Sequence, residues 1–227
     1  MSKFEEIIGY KFKDDSLLKE ALTHPSITKF NSQNNSDIFN YERLEFLGDS
    51  VLGLIIAEIL IDKYPNEQEG QLAKRQSALV KGETVSKVAK ELNIGKYINM
   101  TQGEESTGGR SNLSNIENAL EALIGALYVD GGITEAKIFI KKHWKDIIDQ
   151  MKVPPKEHKT SLQEWAQGNG LPIPEYNVVE ISGPSHSPSF IVEVYVQGFD
   201  PVRAKGKNKK KAEKEAAKEL LKIIHKE

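Results

Sequence analysis

The sequence contains no cysteine. That absence excludes disulfides, thiolate zinc sites, iron–sulfur clusters and cysteine nucleophiles together, and it fits a reducing compartment. No stretch of ~18 apolar residues is present, so no membrane-spanning helix is expected. The opening residues, MSKFEEIIGYKFKDD, are charged throughout. They lack the apolar core and small-residue cleavage site of a signal peptide. The expected location is the cytoplasm, with no membrane partner. There is no Walker loop, no G-x-G-x-x-G following a strand and no G-x-S-x-G elbow, so no small-molecule cofactor is expected. The five histidines (24, 143, 158, 186, 225) are scattered without metal-ligand spacing.

What is present suits a globular chain of two modest domains. Of 227 residues, 38% are hydrophobic and 28% charged, which excludes a disordered or collagen-like polymer. The net charge of −2 hides an asymmetry. Residues 1–150 hold 18 Lys and Arg against 23 Asp and Glu, a net of −5; residues 151–227 hold 13 against 10, a net of +3. An acidic front joined to a basic back points to two domains with different partners. Between them the octet MKVPPKEH carries a Pro-Pro pair that breaks any incoming helix. The expected division is a domain over 1–150, a linker over 151–157 and a domain over 158–227.

The front reads as helical. Asp14 or Asp15 caps a helix bearing Leu17, Leu18, Ala21 and Leu22. A long helix runs from about Tyr41 to Tyr64, stopped by Pro65. Further helices carry Leu72, Arg75, Ala78 and Leu79, then Val85, Val88 and Leu92, the latter ended by Gly95. Residues 101–113 read as loop, with Gly108-Gly109 plain loop. Ser114-Asn-Ile-Glu117 reads as a capping box opening an apolar helix to Val129. Gly131-Gly132 separates it from a last helix to about Gln150. The back changes period: a short helix over Thr160–Gln167, extended chain over Pro174–Ser182, an alternating strand around Phe190–Val196, a short strand at Val202–Lys205 and a closing helix striped with Ala212, Ala216, Ala217, Leu220, Leu221 and Ile224. The order α-β-β-β-α implies helices packed on one face of an antiparallel sheet.

Two helices carry acids where apolar residues belong. At ~100° per residue, Glu42, Glu45 and Asp49 fall within an arc of about 60° on the long helix. The rest of Leu44–Leu60 is largely apolar, so this helix is expected to be mostly buried, and three stacked acids there repel one another. Arg43, Lys63 or a base from a partner chain would cover one of them; a divalent cation would cover all three. On the second helix Glu117 has a sufficient role in the capping box. Glu121 has none, and Asn118 lies three positions before it on the same face. Two helices presenting oxygen ligands inward build a carboxylate metal site. Oxygen donors alone favour Mg²⁺ or Mn²⁺ over zinc. His24, in Thr-His-Pro, reads as a turn or core histidine.

The last helix begins with cations. Asn208 is its expected N-cap, followed by Lys209, Lys210 and Lys211, with Lys205 and Lys207 nearby. Positive charge in a first helical turn opposes the macrodipole. A bound phosphate would reconcile it. Gln163 and Gln167, at i and i+4, offer donors and acceptors suited to sugar hydroxyls. No stacking aromatic platform accompanies them, which disfavours single strands and favours reading of duplex shape.

The stretch Asn40-Tyr-Glu-Arg-Leu-Glu-Phe-Leu-Gly-Asp-Ser-Val-Leu52 resembles the signature of bacterial ribonuclease III. Leu22-Thr-His-Pro-Ser26, Glu69-Gly70, Gly103-Glu-Glu105 with Gly108-Gly-Arg110, and Glu121-Ala-Leu-Ile-Gly125 support the resemblance. The back is similar to a double-stranded RNA-binding domain in Lys159-Thr-Ser-Leu-Gln163, Gly183-Pro-Ser-His186 and Gly206-Lys-Asn-Lys-Lys210. The resemblance implies an all-α nuclease domain followed by an α+β RNA-binding domain. It implies a homodimer cutting both strands of double-stranded RNA, to give 5′-phosphates and short 3′ overhangs, in processing of ribosomal and other precursors including messenger RNA. It makes Glu45, Asp49 and Glu121 ligands of Mg²⁺, with Mn²⁺ as a substitute, and Asp49 and Glu121 catalytic. Glu42 would lie in the RNA-facing valley, Phe46 in the partner subunit and Glu69 near the dimer interface. The RNA-binding set is Thr160, Gln163, Gln167, Ser185, His186, Lys207, Lys209 and Lys210. Of these, Gln163 and the 184–187 loop would face minor grooves, and Lys209 and Lys210 phosphates across the major groove.

One position departs: Asn118 stands where the family usually has Asp. Its amide can still ligate Mg²⁺ or hold a metal-bound water, but a negative charge is lost. The rival readings are an RNA-binding protein whose nuclease domain has lost activity through Asn118, and a dimeric scaffold.

Overall fold

The structure, a computed structural model, describes residues 2–27, 39–155, 158–184 and 188–225. Its contacts divide the chain into two units, Met1–Pro155 and Lys156–Glu227.

The first unit is built from helices α1 (Lys3–Ile8), α2 (Asp15–Ala21), α3 (Glu42–Lys63), α4 (Glu69–Val80), α5 (Gly82–Glu91), α6 (Gln102–Ser106) and α7 (Leu113–Gln150). Among the described residues, the sole β-type pairing here is an isolated bridge between Thr23 and Asn99. Asp14 caps α2 by accepting from the Ser16 amide. Helices α3 and α7 share the most extensive contact in the chain. Their apolar faces, with Leu52, Ile55, Ile56 and Leu60 on one side and Leu120, Leu123 and Ile124 on the other, are fully buried in one core. Arg75, placed by the sequence on a helix with Leu72, Ala78 and Leu79, is also fully buried. It forms two bonds to Glu67, donates to the Met151 carbonyl and stacks on the Tyr64 ring at 3.7 Å. A buried guanidinium is tolerated because its donors are occupied, and the contact pins the end of α7.

Several local expectations are corrected. The helix expected from Ser114 begins at Leu113, because Asn112 is the N-cap and accepts from the Ser114 amide at 3.0 Å. The Ser114–Glu117 capping box therefore does not form. The expected break at Gly131-Gly132, by contrast, is present: Gly132 is non-helical (φ 76°, ψ −177°) and separates two helical segments along α7. A left-handed φ costs glycine nothing and other residues ~1 kcal/mol or more. Helix α5 ends at Glu91 rather than near Gly95, since Asn93 turns left-handed (φ 53°). The 101–113 loop contains α6, capped by Thr101, and a 3₁₀ turn at Gly109–Ser111. Helix α3 is not buried all round: Phe46 is 80% exposed, and Leu54 and Ile61 are exposed on the same side.

The second unit runs α8 (His158–Gly168), β1 (Glu175–Ser182), β2 (Ser189–Tyr195), β3 (Val202–Gly206) and α9 (Lys209–Ile224). The sheet is antiparallel in the order β1-β2-β3, with Val178 opposite Val192 and Val192 opposite Ala204. Val192, Val194 and Val196 point inward, the period-two pattern seen in the sequence. Leu162 and Ala166 of α8 and Ala216, Ala217 and Leu220 of α9 close the core on one face.

Candidate active site and RNA-binding face

The nuclease-side site is made by the closest approach of α3 and α7. A Cβ on Gly48 would lie 1.7 Å from the Glu121 carbonyl oxygen, and one on Gly125 would lie 2.2 Å from the Leu44 carbonyl oxygen. The backbones touch because both positions lack a side chain. That contact sets the α3 acids against Asn118 and Glu121, and Tyr41, Glu42, Glu45, Asp49, Asn118 and Glu121 line one cleft of about 440 Å³. The acids descend from mouth to floor: Glu42 and Asp49 are exposed, Glu45 is half-buried and Glu121 is buried.

The electrostatics follow from this descent. Burial, then the charges of Asp49, Glu117 and Glu45, push the Glu121 carboxyl up to about 8. Burial, with Glu42, Glu117 and Asp49, raises Glu45 too. Every charge acting on these two carboxyls is negative. The bases that could have covered them are engaged elsewhere: Lys63 pairs with Asp149, and the charge of Arg43 acts on Glu20. Asn118 lies in hydrogen-bonding reach of the Tyr41 hydroxyl, which burial and then Glu45 push up to about 12. Among the described residues, no three His, Asp or Glu side chains stand in ready metal-holding geometry. The donor set fits a hard divalent cation by its chemistry: carboxylate and amide oxygens on two facing helices, with no neutralising base.

Glu117 is the residue that sequence reasoning assigned elsewhere. Freed from the cap, its carboxylate lies over Gly82 at the start of α5 and 3.5 Å from the Ser86 hydroxyl. Its charge reaches both Glu45 and Glu121. The available signal was Asn112, a better N-cap one residue before Leu113. His24 has a structural place: it accepts from the Ser26 amide, contacts Asn115 at 3.3 Å and meets Tyr41 edge-on. Phe46 heads the exposed apolar side of α3, and Glu69 is exposed in the first turn of α4, outside the acid cleft.

In the second unit, Thr160, Gln163 and Gln167 are exposed on α8. Lys207, Lys209 and Lys210 are exposed at the start of α9, where Asn208 accepts from the Lys211 amide at 2.9 Å. Ser185 and His186 lie outside the described residues. Sequence reasoning did not single out Glu213, which is buried beneath the lysines and bonded to Lys159.

Comparison with known proteins then decides the family. A Ribonuclease-III-like family model matches residues 14–147, and a Double-stranded RNA binding motif matches residues 158–224. Ribonuclease 3 of Wolbachia sp. subsp. Brugia malayi (strain TRS) is 50% identical over 220 residues, covering 97% of this chain and 90% of the relative. The chain belongs to the ribonuclease III family. Ribonuclease 3 of Ehrlichia ruminantium (strain Welgevonden) is likewise 50% identical over 220 residues, 97% of this chain and 95% of that protein. Among solved structures, the nuclease domain of ribonuclease III from Campylobacter jejuni, described with structural flexibility in a region involved in dimer formation, aligns with a TM-score of 0.57 and 40% identity. It covers 63% of this chain and 98% of that one. This ribonuclease III family member is therefore an endoribonuclease with double-stranded RNA as its partner, and the scaffold reading is set aside. No helix among the described residues is long and apolar enough to cross a membrane.

Proposed function

We propose that the chain is a Mg²⁺-dependent endonuclease acting as a homodimer on double-stranded RNA, with Mn²⁺ able to replace Mg²⁺. The observation that carries the reading is the acid cleft at the Gly48–Gly125 crossing, where Glu121 is 8% exposed and surrounded by other carboxylates. Glu45, Asp49 and Glu121 would hold the ion, with Asn118 contributing its amide oxygen directly or through water. When bound, the ion supplies a water of lowered pKa and charge neutralisation at the phosphorus and the leaving oxygen.

The chain's own residues do the rest. Glu121, on the buried floor, fixes the depth of the site; Asp49 and Glu45, one helical turn apart, fix its direction along α3. Glu42, exposed at the mouth, faces arriving RNA and repels a phosphate that has no counterion. The exposed apolar side of α3, led by Phe46, is the surface that a second copy would cover, as an isologous contact about a two-fold axis. Two such sites give 5′-phosphate products with short 3′ overhangs. The basic start of α9 and the exposed glutamines of α8 bind the duplex by shape, because an A-form major groove is too narrow for side chains to read. Processing of ribosomal and messenger RNA precursors in the cytoplasm completes the reading.

The test is cleavage of a paired RNA with Mg²⁺, with and without chelator, by wild type and Glu121→Gln. The variant keeps shape and loses the charge, so its rate should fall by about a hundredfold or more while duplex binding persists. Wild-type cleavage by Glu121→Gln would overturn the site, and a monomer in sedimentation at assay concentrations would overturn the dimer.

A further inference from the structure

An acid buried in an RNA-binding unit is an apparent contradiction, since it repels the ligand. Glu213 is such an acid. It sits in the second turn of α9, buried, directly behind the lysines of the first turn. Its carboxylate accepts from the Lys159 ammonium at 2.7 Å and stands 3.9 Å from the Lys209 ammonium. Lys159 comes from the start of α8, 54 residues earlier in the chain. Its ammonium also lies 4.4 Å from the centre of the Tyr176 ring on β1. The Tyr176 hydroxyl is buried without a hydrogen-bond partner among the described residues.

The exposures separate the partners. The Lys159 and Lys209 side chains are 42% and 59% exposed, whereas that of Glu213 is 11% exposed. The negative charge is therefore shielded and the positive charges are presented. An ammonium has three donors, so a lysine bonded to Glu213 keeps two for an incoming phosphate. A lysine left free carries about 2 kcal/mol of rotamer entropy that phosphate contact would have to suppress.

We propose that Glu213 is a positioning residue for duplex RNA: it holds Lys159 and Lys209 as a preset pair of cations, one from each helix, turned towards the backbone phosphates. Lys159 thereby joins the RNA-contacting set. The inference rests on the reading that the start of α9 meets RNA phosphates. It reverses the expectation from net charge, under which removing an acid from a basic surface strengthens binding to a polyanion.

The experiment measures binding of the full chain, in chelator, to a paired RNA longer than the ~16 bp one such domain spans. Affinity is recorded across salt concentrations, with a thermal melt of each variant. Glu213→Gln should weaken binding about tenfold and flatten the salt dependence by about one phosphate contact, although it makes the protein more positive. Lys159→Ala should do the same, and the double variant should lose less than the two single losses combined, because both changes break one arrangement while only Glu213→Gln also releases Lys209. If Glu213→Gln fails to fold, Glu213→Asp keeps the charge and withdraws the carboxylate by one methylene. It should still weaken binding with an unchanged melt. Folded Glu213→Gln or Glu213→Asp that binds as tightly as wild type, at the wild-type salt slope, overturns the positioning role. Lys210→Ala, which does not touch Glu213, separates the two claims. If it weakens binding while the Glu213 variants do not, the RNA-facing helix stands and the positioning role falls. If it too leaves binding unchanged, the RNA-facing reading itself fails.

Discussion

Glu121 and Glu213 have the same exposure, 8% each, in opposite surroundings. Glu121 lies at a helix crossing where the other charges are acidic, and its carboxyl is pushed up to about 8. Glu213 lies under two lysines and is ion-paired to both, closely to Lys159 and more loosely to Lys209. A buried charge must be neutralised, and the two units do it differently. The RNA-binding unit supplies the counter-charge from its own chain and so presents a finished surface. The nuclease unit withholds it, as the proposed cation site requires. Burial alone therefore does not distinguish the two acids; the presence or absence of a positive partner does.

The largest expected effect is on the crossing that creates the unpartnered acids. Gly48→Ala would place a Cβ against the Glu121 carbonyl. In an open helix this change would stabilise by about 1 kcal/mol. Here the helices must separate, and a loss of about 3 kcal/mol or more is expected in chemical denaturation, with cleavage lost in parallel. A variant that is more stable and still active would show that the contact between α3 and α7 does not build the site.

A second test uses another buried group without a partner, one remote from the acid cleft in sequence. The His143 Nε2 is buried with no hydrogen bond among the described residues, and burial, aided by Lys142, lowers its pKa to about 4. Its folded pKa lies below the ordinary 6.5, so the unfolded chain takes up the proton first. Stability from this residue is intact above pH 6.5 and is lost as pH falls towards 4. Between pH 7 and pH 5 the loss is about 2 kcal/mol. His143→Phe should remove most of that pH dependence in thermal melts, and an unchanged dependence would place the acid sensitivity elsewhere.

The smallest effect concerns Asn118. Asn118→Asp adds a charge beside Glu121, so without metal the protein should melt slightly lower. With metal, a carboxylate is the better ligand for a hard cation, so the Mg²⁺ concentration for half-maximal cleavage should fall several-fold. A midpoint that stays or rises would mean that residue 118 serves Tyr41 and takes no part in holding the ion.

Much of this was legible in the residues. The three acids on one face of α3, the inward acid at 121, the period change after the Pro-Pro pair and the cap at Asn208 are local facts, set by 3.6- and 2-residue periods and by side chains that bond their own backbone. Glu117 was misplaced because two candidate caps stood two residues apart and sequence spacing favoured the wrong one. On the exposed side of α3 the resemblance singled out Phe46, but Leu54 and Ile61 were missed, because an apolar helix with one face open to solvent has the same composition as one mostly buried.

By itself, then, the sequence determined the elements, the sign of charge on each unit and the residue types able to carry the chemistry, since each depends on neighbours within one or two helical turns. Only the tertiary structure decided which acids go unpartnered. Gly48 and Gly125 lie 77 positions apart and Lys159 and Glu213 lie 54 apart. Whether a carboxylate meets a backbone carbonyl, another acid or an ammonium depends on how those distant segments come together.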